Sequence, residues 1–214
     1  MQYLLDQPER VLSLTWDHIQ LVGIAVIIAA VIGIPVGILI SRVRFLQMPV
    51  LNLSGLMYTI PSLAFFAILI PYTGIGKTTA FIALVMYSLL AIIRNTTVGM
   101  DEVDKNVKDA ADGMGMTKFQ RLRMVELPLA LPYILTGLRI ATVAAIGIAV
   151  IAAVIGGGGL GRLVFDGIRS PNMRDRVVAG AVMSIALALV ADYLIGRLVL
   201  LVRRDMRPSV EGGH

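Results

Sequence analysis

No cysteine occurs in the 214 residues, which excludes disulfides and thiolate metal sites. Histidine is almost as scarce: His18 and His214 stand near opposite ends of the chain and make a poor metal constellation. Charge is the third shortage. Asp, Glu, Lys and Arg together make up 15% of the residues, whereas a soluble domain usually carries about a quarter. Without a cysteine, a histidine pair or a clustered set of carboxylates, the chain offers no catalytic constellation and does not read as an enzyme. The N-terminus also lacks the basic n-region of a secretory signal. It begins Met1-Gln2-Tyr3-Leu4-Leu5-Asp6, with Arg10 as the first basic residue, and reads as a mature tail.

What the chain does have is apolar length. Hydrophobic residues make up 57% of it, and its few charges gather between long uncharged runs. A membrane span needs about 20 mostly apolar residues. Five such runs emerge, at about 19–40, 50–70, 79–98, 133–155 and 177–202. Arg94 falls near the end of the third, Arg139 near the start of the fourth, and Asp192 inside the fifth. The alternation of a β-barrel, in segments of about 10 residues, is missing, so the spans are helices. The expected architecture is an all-α integral membrane protein: an outer tail over 1–18, one transmembrane domain over 19–202 and a cytoplasmic tail over 203–214.

Orientation follows from Lys and Arg, which accumulate on the cytoplasmic side. Thirteen lie on the side that includes residues 99–128, and six on the other. That puts the N-terminus outside and the C-terminus in the cytoplasm. The same bias accounts for the net charge of +5 without a nucleic-acid partner; the surrounding partner is lipid.

The one long polar loop, 99–128, is predicted to hold two short helices, 101–114 and 118–126. Thr117-Lys118-Phe119-Gln120 fits the capping box, in which Thr and Gln satisfy each other's free amides. Gly113 and Gly115 favour a break just before it, and Pro128 is expected to close the second helix.

Two glycine motifs lead nowhere. Gly74-Ile75-Gly76-Lys77-Thr78 ends like a phosphate-binding loop, but the position of its first glycine is Pro71 and no strand precedes it. GGGGLG at 156–161 formally contains G-x-G-x-x-G, yet it follows a membrane helix. A flexible outer turn or a close backbone contact fits it better.

The informative stretch is Asp109-Ala110-Ala111, three residues, Gly115, nine residues, then Val125-Glu126-Leu127-Pro128. It resembles the EAA motif of the permease subunits of ABC importers, with Asp109 for the usual Glu and Val125 for the usual Ile. Thr59-Ile60-Pro61-Ser62-Leu63-Ala64 and IGGGGLGRL at 155–163 are similar to the branch that imports glycine betaine, carnitine or choline. A methionine-type amino-acid importer shares much of the pattern.

The resemblance implies a type I importer permease fold in a bacterial or archaeal cell membrane. It makes the polar loop a coupling element that docks on a separate ABC ATPase subunit through Asp109, Ala110, Ala111, Gly115, Val125, Leu127 and Pro128. ATP and Mg belong to that ATPase, and this chain binds no cofactor or metal. Two permease subunits, identical or related, would form the pathway between them, and an extracytoplasmic binding protein would deliver the substrate. A transporter working without ATP is the rival class.

Within the spans, Tyr58, Pro61, Ser62, Arg94, Arg139 and Asp192 are candidates for the pathway or for intramembrane contacts. Arg94 and Arg139 can both reach Asp192, which fits a structural ion pair, a pathway group or a contact with a second subunit. Pro61 removes a backbone hydrogen bond and can kink the second span. Tyr58, Phe65, Phe66, Tyr72 and Tyr87 could face a quaternary ammonium ion, or they could simply pack helices.

Overall fold

A computed structural model describes residues 2–170 and 174–205, and these are helical almost throughout. Two N-terminal helices, α1 (Gln2–Asp6) and α2 (Pro8–Arg42), lead into α3 (Arg44–Thr59) and α4 (Ser62–Thr73). Helix α5 (Lys77–Asp101) returns to the polar segment, which carries α6 (Lys105–Gly113) and α7 (Lys118–Arg121). A π-helical turn, Leu122–Glu126, then runs into α8 (Leu127–Ala152). Helices α9 (Gly161–Arg169) and α10 (Arg174–Asp205) complete the fold. Among the described residues four helices are long and apolar enough to cross a membrane, or five spans if the bent pair α3–α4 counts as one.

Helices α2, α5 and α8 form the centre, joined by small side chains. Ala25, Leu84, Ala145 and Ala149 share one buried cluster, and Ala29, Ala91 and Ala141 share the next. A Cβ added to Gly37 would stand 2.6 Å from Thr96 Cβ, and one added to Gly137 would stand 2.7 Å from Asn95 Cβ. Apolar side chains gain little by leaving lipid for protein. Membrane helices therefore associate where small residues let backbones approach and dispersion contacts accumulate. Helix α10 packs on α8 and α9 and leaves much of its apolar face, including Ile185, Leu189 and Leu194, exposed.

Several sequence expectations change. The first long helix, α2, starts at Pro8 rather than at 19, so most of the expected outer tail is helical. The expected second span, 50–70, is broken: α3 and α4 meet at 99°. Pro61 disfavours helical geometry at the residue before it, and Ile60 is extended, with φ −73° and ψ 121°. The freed Ile60 carbonyl accepts a hydrogen bond from the Tyr87 hydroxyl at 2.7 Å.

In the polar segment α5 runs on to Asp101, so the first short helix begins only at Lys105. Pro128 closes nothing; residues 118–155 form one continuous helix, and Pro128 lies in its course. A proline ring crowds the carbonyl four residues back. The π turn immediately before Pro128 widens the helix there, with the Leu127 amide bonding the Leu122 carbonyl five residues earlier. The C-terminal tail expected at 203–214 is helical to Asp205, and its remainder, with Arg207 and His214, lies outside the described residues.

Candidate functional site

Polar residues gather at two ends of the bundle. At one, the polar-loop end, α6 is set by its caps. The Asp104 side chain accepts from the Asn106 amide at 2.8 Å, and Lys108 Nζ donates to the Met100 carbonyl at 3.0 Å. The helix stops in a Schellman arrangement, with the Met116 amide on the Ala111 carbonyl and the Gly115 amide on the Asp112 carbonyl. Gly115 takes φ +79°, which a residue with a Cβ adopts only under strain. The expected capping box is present: the Gln120 amide donates to Thr117 Oγ1, and the Thr117 amide to Gln120 Oε1.

Ala110 and Ala111 part company. Ala111 is buried, 1% exposed, while Asp109, Ala110 and Gly115 face outward. Met114 and Phe119, at 71% and 69% exposure, flank them. Val125 and Leu127 are half-buried, and Pro128 is exposed. The matched positions thus do not form one surface: one set projects, the other anchors the helix it belongs to.

Beneath the projecting turn lies a chain of charges that the motif reading passed over. Glu126 is 1% exposed, and its two oxygens are taken by two arginines. Arg121 Nε donates to Oε1 at 2.8 Å, and Arg42 Nη2 donates to Oε2. Arg121 also donates to Asp112 on α6. The available signal was a carboxylate between Val125 and Leu127, at the threshold of an apolar run. Its second partner, Arg42, is 84 residues away, beyond any local pattern.

Of the intramembrane candidates, Arg139 and Asp192 meet as a two-point ion pair, Nε to Oδ1 at 2.5 Å and Nη2 to Oδ2 at 2.6 Å. Gly196 gives the guanidinium room. The pair lines an open groove of about 660 Å³ with Thr136, Leu189 and Tyr193. Arg94 takes no part in it; it lines a separate groove of about 450 Å³ with Tyr58, Asn95 and Val98.

Tyr58 donates to the Tyr87 carbonyl at 3.0 Å, and its ring meets the Tyr87 ring edge-on at 6.2 Å. Phe65 also packs edge-on against Tyr87, and Phe66 is fully buried. These aromatics hold the α3–α4 break together. Ser62 opens α4 beside Pro61, and Tyr72 is exposed.

At the opposite, glycine-turn end, residues 156–161 form a packed corner. His18 of α2 is fully buried there. Its Nδ1 accepts from the Leu160 amide at 3.3 Å, and its Nε2 lies 3.2 Å from the Ile146 carbonyl. A carbonyl only accepts, so Nε2 carries the proton and the ring is neutral. A Cβ on Gly159 would lie 2.8 Å from His18 Nδ1, and one on Gly161 would lie 2.1 Å from the Val150 carbonyl oxygen. Of the two options for this stretch, close backbone contact is the one realised.

Among the described residues no group of three His, Cys, Asp or Glu side chains could hold a metal. The polar clusters described above join helices.

The pattern of the family described as binding-protein-dependent transport system inner membrane component matches residues 24–204. The osmoprotectant import permease protein OsmW of Salmonella typhimurium is 45% identical over 213 residues, spanning 97% of this chain and 99% of that one. The choline transport system permease protein OpuBB of Bacillus subtilis is 38% identical over 195 residues, spanning 91% and 89%. Among solved structures, a chain of the MetNI methionine ABC transporter in an inward-facing conformation superposes with a TM-score of 0.82. It is 23% identical and covers 92% of this chain and 98% of its own, a likeness of fold.

Proposed function

The chain belongs to the family of inner membrane components of binding-protein-dependent transport systems, and on that premise we propose that it is the permease subunit of an ATP-driven importer of quaternary amine osmoprotectants. The substrate class rests on relatives named for osmoprotectant, choline and carnitine transport. The methionine transporter shares the fold at 23% identity, which carries no argument about substrate.

The observation that carries the mechanism is the projecting turn 109–119, short, capped at both helices and rooted in the core through Glu126. A surface of this kind suits the cleft of an ATPase subunit. In this reading the polar-loop end faces the cytoplasm, and Asp109, Ala110, Gly115, Met114 and Phe119 meet the ATPase there. The ATPase, not this chain, holds ATP and Mg. Two permease subunits enclose the pathway, and closure of the ATPase pair moves their polar-loop ends together. An external binding protein docks at the glycine-turn end. It drives the cycle only by preferring one of the two states.

The test is reconstitution with the ATPase and the binding protein. Gly115→Trp is expected to lower uptake and binding-protein-stimulated ATP hydrolysis about tenfold or more, within the usual range of coupling energies. Unchanged uptake and hydrolysis would remove the coupling role, and substrate flux through this chain alone would favour an ATP-independent transporter. Titrating the binding protein with betaine, carnitine, choline and methionine tests the substrate class separately.

A further inference from the structure

Covalent connection carries any movement of α6 in two directions only: back into α5 through residues 102–104, and on into α7 and α8 through the Gly115 turn. Helix α2 has no such link to α6. Its polar-loop end is nevertheless tied to the same segment, because Arg42 donates to Glu126, Glu126 accepts from Arg121, and Arg121 donates to Asp112 on α6. Positive and negative groups alternate along this path.

We propose that Glu126 and Arg42 are positioning residues that carry displacement of the coupling helix to the polar-loop end of α2, adding to the packing of α2 on α5 at Gly37 and Thr96 a tie that keeps that end in step with α6 and α8 when the ATPase moves. The argument rests on burial. A carboxylate that is 1% exposed cannot trade a lost partner for water, so removing either arginine leaves one of its oxygens buried without a hydrogen bond and only one cation to balance it. While Glu126 stays buried, its two arginines have to follow it. Long side chains let them do so as the backbone shifts, where direct backbone packing would resist. The π turn that holds Glu126 adds local play in the α8 hydrogen-bond ladder. Arg42 is about a third exposed on its side chain, so its substitution perturbs the link without emptying a core position.

This inference depends on the permease reading, and the experiment separates the two. The complete importer, with its ATPase and binding protein, is reconstituted in vesicles, and the ratio of substrate transported to ATP hydrolysed is measured. Arg42→Gln is expected to lower that ratio about tenfold while hydrolysis stays within about twofold of wild type, and Arg42→Lys to restore most of it. Glu126→Gln should behave like Arg42→Gln, and the double variant should be no worse than either single one. Should Glu126→Gln fail to assemble, the two Arg42 variants decide.

An unchanged ratio in Arg42→Gln overturns the proposal. So does a parallel loss of uptake and hydrolysis in an assembled complex, which is the mark of a plain staple. If the wild-type complex shows no ATP-dependent uptake, the permease reading itself falls.

Discussion

At the polar-loop end, helices are joined by the tips of long side chains: Arg42, Arg121, Glu126 and Asp112 meet across three elements. At the glycine-turn end, they are joined by backbone against backbone and by one short, fully buried ring, His18, wedged between α2, α8 and Leu160. Ion pairs on flexible stems tolerate ångström-scale displacement and are partly re-solvated where they reach the surface. A corner with no space for a Cβ at Gly157, Gly159 or Gly161 tolerates neither displacement nor substitution there. The two ends are therefore built for different mechanical tasks. One is expected to shift while staying connected, and the other to hold helix positions as a pivot.

This contrast can be broken most forcefully at the pivot. Gly161→Val drives a Cβ into the Val150 carbonyl oxygen, 2.1 Å away, where no flexible atom can yield. Overpacking of this kind should cost about 3 kcal/mol or more, read as a lower melting temperature and a poor yield of monodisperse protein in detergent. A normal melt would mean that the corner has slack and that no pivot exists.

Next in size is His18→Ala, which strands the Leu160 amide in a buried site and removes the second donor on the Ile146 carbonyl, already bonded within α8. A loss of about 2 kcal/mol is expected, with faster hydrogen exchange of the Leu160 amide. If the melt drops while that amide stays protected, the histidine contributes volume and not its hydrogen bonds.

The smallest effect belongs to the polar-loop end. Gly115→Ala meets nothing within 4 Å, so its only cost is a left-handed conformation, about 1 kcal/mol. Thermal denaturation should shift by only a few degrees. If this substitution destabilises the protein as much as His18→Ala does, the two ends are not mechanically distinct.

The turn at 109–119 illustrates what local pattern can and cannot reveal. Its caps were legible because a capping box and a Schellman glycine satisfy amides and carbonyls within a few residues. The break at Pro61 was legible in kind but not in degree. A missing amide predicts a kink, whereas the 99° angle depends on Tyr58, Phe65 and Tyr87 assembling around the freed Ile60 carbonyl. Pro128 was misread as a stop because a π turn can absorb a proline when the following apolar run is anchored by tertiary packing. For Asp192, reach admitted both Arg94 and Arg139; helix rotation brought only Arg139 to it.

Helical class, the apolar runs that make the long helices, and the capped ends of the polar segment were thus determined by the amino-acid sequence alone. Each follows from hydrophobic length or from hydrogen bonds closed within a few residues. The tertiary structure alone decided that Arg42 reaches Glu126 across 84 residues, that His18 closes the glycine corner, and that Ala111 turns inward while Ala110 turns out. Those outcomes depend on how each helix is rotated about its axis and how closely small residues let it approach its neighbours. Both are properties of several segments at once, and no local stretch of sequence encodes them.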